Sequence, residues 1–179
     1  MNAALKLPRA LRLDASDRFV FAAAAAPDEW CVVGTFAFRD ADPAALAGRQ
    51  LAAFRGGFLG VESCGWTTLV AVAEARGGER AHAVAALAAT LLARFGCPDE
   101  GLAQAAAEEE IAFAAEICAA HPPNTVIALA RTFEDGAIRE RFRTLAPRAD
   151  RGHGDPFRLV ELADEPADAP DLIAMAKRR

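Results

Sequence analysis

The chain has 179 residues, a formal net charge of −5 and 53% hydrophobic residues, much of that fraction being alanine. Those values suit one globular domain and argue against disorder over most of the length. The acidic balance argues against nucleic acid as a partner, since that binding rests on neutralising phosphates.

Phe supplies nearly all the aromatic content, and the absence of Tyr removes one common general acid and interface anchor. Cysteines stand at 31, 64, 97 and 118, with no C-x-x-C pair. The start, MNAALKLPRALRLD, has no basic stretch followed by an apolar one, and no run approaches the roughly 18 apolar residues of a membrane span. The expected setting is therefore cytoplasmic, with reduced thiols and no membrane association.

Leu5, Leu7, Leu11 and Leu13 alternate with polar residues as in a half-buried strand, and Pro8 marks that strand as an edge or the site of a bulge. Phe19-Val20-Phe21 reads as a second strand. After a turn at residues 26–29, Trp30, Val32, Phe36 and Phe38 share one face of a third, with Gly34 as a bulge or close approach. Asp42-Pro43 predicts a helix start, with the helix running to Arg55 and stopping at Gly56-Gly57. Residues 58–65 read as irregular, and 67–75 as a central strand.

Two further helices are predicted. One spans Glu79 to Phe95 and ends at Gly96. The other is capped by Asp99, reaches Ala120 before Pro122-Pro123, and is covered on more than one side. Asp135-Gly136 separates strands 125–134 and 137–145 as a type I′ hairpin turn. A last strand is predicted at 157–162. The fold class is thus α+β, with one antiparallel sheet of six to seven strands against three helices over residues 1–162, and an acidic, proline-containing tail over 163–179.

A two-residue loop at Asp135-Gly136 fixes the register of this hairpin. Phe133 then faces Ile138 and Leu129 faces Phe142, with an Arg131–Glu140 ion pair embedded between them. On the opposite face Thr132, Ala130 and Ala128 oppose Arg139, Arg141 and Arg143. Guanidinium forks beside small residues suit a carboxylate or phosphate, so this face is the candidate site for an acidic protein segment or small anionic ligand. The competing reading is a solvated sheet face. His153 and Arg151, in the glycine-rich loop at 148–156, join the candidate site at its rim.

Other groups carry weaker signals. Cys118 and His121 share a helical face, but no further ligand has motif spacing, and no metal or cofactor is expected. Ser63 and Cys64 lack an adjacent base. Glu110, near Ile117, is read as a solvated acidic residue whose pKa rises if it is buried.

The segments LPRALRLDASDRFVF, EWCVVGTFAF, FRGGFLGVESCGWTTLVAV and TFEDGAIRERFRTL resemble a bacterial family catalogued only as a domain of unknown function, over nearly the whole chain. The resemblance supplies no active site. It implies small cytosolic proteins encoded near accessory factors for molybdenum-dependent oxidoreductases and near lipoate-ligase-like proteins, and so an assembly role. The first expectation is a non-enzymatic accessory protein that binds through the arginine face. One alternative is a small-molecule enzyme with Cys64 or His153 near the Gly56–Trp66 loop. Another is a homodimer subunit with an exposed apolar patch near the first strand.

Overall fold

The computed structural model describes residues 4–146 and 160–162. It contains two antiparallel sheets rather than one. In the larger sheet, strands β1 (Lys6–Ala10), β5 (Leu69–Glu74), β6 (Val126–Glu134) and β7 (Ala137–Ala146) lie side by side in that order, with β8 (Val160–Leu162) beyond β7. The smaller sheet joins β2 (Cys31–Val32), β3 (Phe58–Gly60) and β4 (Trp66–Thr67). An isolated bridge between Arg9 and Trp30 links β1 to the residue preceding β2. β1 is an edge strand, as Pro8 requires, and β5 is paired on both sides.

The helices are a short α1 (Asp17–Val20), α2 (Gly48–Gly56), α3 (Glu79–Arg94) and α4 (Glu100–Ala119). α3 ends before Gly96, whose φ is 67°, and the Asp99 carboxylate caps α4 by accepting from Leu102 N at 2.8 Å. α4 packs on α3, β1 and β2, while α2 packs on β6. The stripe Ala103, Ala107, Ile111, Ala114 and Cys118 is fully buried at helical spacing. Its alanines let α3 approach closely. Leu102 is exposed, while Phe113 meets the Phe142 ring edge-on and Ala106, Ala115 and Ile117 are partly buried beside the stripe.

Three segments depart from the sequence-based expectation. Phe19-Val20-Phe21 is not a strand. The buried Asp17 carboxylate accepts from Thr67 Oγ1 at 2.9 Å and Thr68 Oγ1 at 2.7 Å, and this tether holds the chain in a helical turn. The strand expected through Phe38 stops at Val32. Gly34 takes φ 75° under Leu59, and Thr35–Phe38 wind into a 3-10 turn. The helix expected from Pro43 begins only at Gly48, because Ala47 is extended and Asp42 supports a single isolated turn.

Residues 58–67 are more ordered than their glycines suggest, since β3 and β4 pair there. Gly57 does stop α2, but its φ is −90°. Its role is close approach, because a Cβ there would lie 2.7 Å from the Trp66 ring.

Candidate functional site

The β6–β7 hairpin carries both candidate sites, one on each face. Asp135 and Gly136 have φ of 53° and 78°, as a type I′ turn requires. The register is the expected one, with Thr132 opposite Arg139, Ala130 opposite Arg141 and Ala128 opposite Arg143. All three arginines are exposed and share one face. Alternate residues of a strand lie about 7 Å apart, so the three arginines leave β7 at even intervals. Arg139 and Arg141 make no hydrogen bond or ion pair among the described residues. The Thr132 hydroxyl donates to Glu134 Oε1 at 2.8 Å. His153 and Arg151 lie outside the described residues.

On the other face, Arg131 is 2% exposed, making it the largest fully buried side chain among the described residues. Its guanidinium donates from Nε to Thr35 Oγ1 at 2.7 Å. Nη1 donates to the carbonyls of Gly57 at 2.9 Å, Phe54 at 3.0 Å and Ala53 at 3.3 Å, and Nη2 to that of Val33. The acceptors come from the end of α2 and from the segment after β2, so one side chain ties both to β6. The Thr35 hydroxyl donates in turn to Glu140, whose carboxylate lies 3.6 Å from Arg131 Nε. Burial lowers the Arg131 pKa to about 10, against the opposing pull of Glu140 and Glu110, so the group stays charged at neutral pH.

Beside this knot, Glu110 projects from α4 into an open cleft of about 420 Å³. Burial raises its pKa to about 7, with the nearby Glu140 charge adding to the effect and Arg131 and Arg39 opposing it. Glu110 accepts no hydrogen bond among the described residues. The expectation of a solvated carboxylate is thus corrected, because the 3-10 turn and the hairpin tip wall the cleft into which it projects and leave it half-buried.

A consequence for stability follows from linkage. The folded state holds the Glu110 proton up to about pH 7, while the unfolded chain releases it near pH 4.5. Between those values the folded state binds more protons, so this group's contribution to stability falls as pH rises. Glu110→Gln should therefore be more stable than the wild type at about pH 8, by on the order of 2 kcal/mol after allowance for partial exposure, and equal to it near pH 4. Urea unfolding at the two pH values measures this, and equal gains at both would refute it.

The Gly56–Trp66 region is built around Glu29, a buried carboxylate that no sequence motif marks. It accepts from Ala26 N at 2.6 Å, Ser63 N at 3.0 Å and Glu62 N at 3.2 Å, and from the Ser63 hydroxyl. Ser63 therefore spends its proton on a structural bond. Burial raises the pKa of Cys64, with Arg94 pulling it down and the charge of Glu29 adding a smaller rise, opposite to what a reactive thiolate needs. Cys118 is pushed up to about 12 by burial, and the His121 carbonyl accepts from Lys6 Nζ at 2.6 Å. Near the first strand, Leu13 and Phe19 are 56% and 75% exposed.

Residues 5–154 match a family of unknown function, DUF6505, and the chain belongs to that family. No curated protein and no solved structure matches it. No helix among the described residues is long and apolar enough to cross a membrane.

Proposed function

We propose that the protein is a non-enzymatic binding protein whose β7 arginine row engages an extended acidic segment of a partner. The observation that supports this reading is the row itself, with three exposed guanidiniums at two-residue intervals on one strand face opposite Thr132, Ala130 and Ala128. An extended peptide with a carboxylate at every second residue repeats at the same spacing of about 7 Å. Each arginine then meets one carboxylate through charge-assisted bonds, and the short opposing side chains leave room for the incoming backbone. The same chemistry suits the assembly role that the family resemblance implies, in which a client protein would present the acidic segment.

A synthetic peptide alternating glutamate and valine serves as the probe, with fluorescence anisotropy as the readout. Exposed ion pairs contribute on the order of 0.5 kcal/mol each, so Arg139→Ala/Arg141→Ala/Arg143→Ala should weaken binding about tenfold and flatten its salt dependence. Unchanged affinity in a normally folded triple variant would refute the proposal.

A further inference from the structure

We propose that the cleft between the 3-10 turn, the β6–β7 tip and α4 binds a small molecule with an apolar body and a protonated amine, the amine resting on Glu110. The walls are aromatic and aliphatic, with Phe36 and Phe38 from the turn, Phe54 from α2, and Phe133 and Ile138 from the hairpin. Phe133 is 47% exposed at the rim, an unusual position for a bare ring beside a cavity. A cleft of about 420 Å³ falls in the size range of small-molecule sites.

The charge of the ligand follows from the hydrogen-bond accounting. Arg131 directs its donors to Thr35 and to the carbonyls of Val33, Ala53, Phe54 and Gly57. The Thr35 hydroxyl donates to Glu140. Among the described residues, neither these groups nor any other donates to Glu110. The carboxylate therefore presents a vacant acceptor to an apolar-walled cleft, next to the carboxylate of Glu140. Two carboxylates share the field of one buried guanidinium behind the wall, and Arg39, itself exposed, is the cation among the residues that line the cleft. A ligand ammonium supplies the missing donor with a charge opposite to that of Glu110, and its apolar body covers the phenyl rings, whose faces also attract cations.

The charged groups facing Glu110 are Glu140 and Arg131 from the hairpin, Arg39 from the segment after the 3-10 turn, and Glu109 from α4. With its pKa near 7, Glu110 must lose a proton before it pairs with a cation, so binding strengthens as pH rises.

The test uses 2-phenylethylammonium chloride as the probe, with 2-phenylethanol and 3-phenylpropionate as the neutral and anionic counterparts. Binding is followed by calorimetry and by amide shifts at Phe133, Gly136 and Ile138. The ammonium should bind about tenfold more tightly near pH 8 than near pH 6, following the ionised fraction of Glu110. Glu110→Gln, which retains the fold, should lose about tenfold or more of that affinity and all of its pH dependence. Equal binding of the alcohol, preference for the carboxylate, an unaffected Glu110→Gln variant, or no shift at the hairpin tip with about 10 mM probe would each overturn the proposal.

Discussion

Arg131→Met should lower the unfolding free energy by about 4 kcal/mol, a large share of the 5–15 kcal/mol typical of a domain. Methionine fills much of the same volume, so the loss reports on polar groups rather than on a cavity. It strands the carbonyls of Val33, Phe54 and Gly57 without donors and leaves Glu140 without its counter-ion. Lysine should recover only part of the loss, because a single ammonium has three donors and no fork. Arg131→Met/Glu140→Gln should be more stable than the sum of the single changes predicts, since it removes the orphaned charge. Urea denaturation of the four variants measures these terms. A loss under about 1 kcal/mol for Arg131→Met would show that water enters and replaces the guanidinium.

Glu29→Ala is expected to cost about 3 kcal/mol, through the loss of an acceptor shared by three backbone amides and one hydroxyl. The carboxylate occupies the space that a side chain on Gly60 would need, since a Cβ there would overlap it. Gly60→Ala should therefore expel the carboxylate and cost a similar amount. Combining the two changes should cost well under their sum, because alanine at 60 fills the space that Glu29→Ala vacates. Thermal unfolding of the single and double variants checks this. Simple additivity would mean that Gly60 is constrained by something other than Glu29.

The two substitutions probe different parts of the fold. Arg131 joins the larger sheet to α2 and the segment after β2, whereas Glu29 fixes the loop between β3 and β4. Both are buried charges held by backbone groups; the hairpin register pairs Arg131 with Glu140, whereas nothing local in the sequence marks Glu29.

Hairpin register, the two long helices and the edge position of β1 were legible in the chain, because each depends on neighbours in sequence. Asp135-Gly136 determines the facing pairs of β6 and β7 through backbone conformations that few residues adopt. Asp99 starts α4 with its own side chain, and Pro8 cannot donate to a second neighbouring strand. Tertiary structure decided what long-range partners decide. Thr67 and Thr68 turn Asp17 into the anchor of a helical turn, and the close approach of Leu59 to a left-handed Gly34 precedes the 3-10 turn that replaces the rest of the expected strand. The alternation of β6 placed Arg131 and Glu140 on one face as a pair. That the arginine is buried, and that Glu110 lies beside them without a donor, depends on α2, α4 and the 3-10 turn converging from distant parts of the chain. Spacing along a strand or helix shows which side chains share a face, whereas burial and the shift of a pKa depend on what other segments bring to that face.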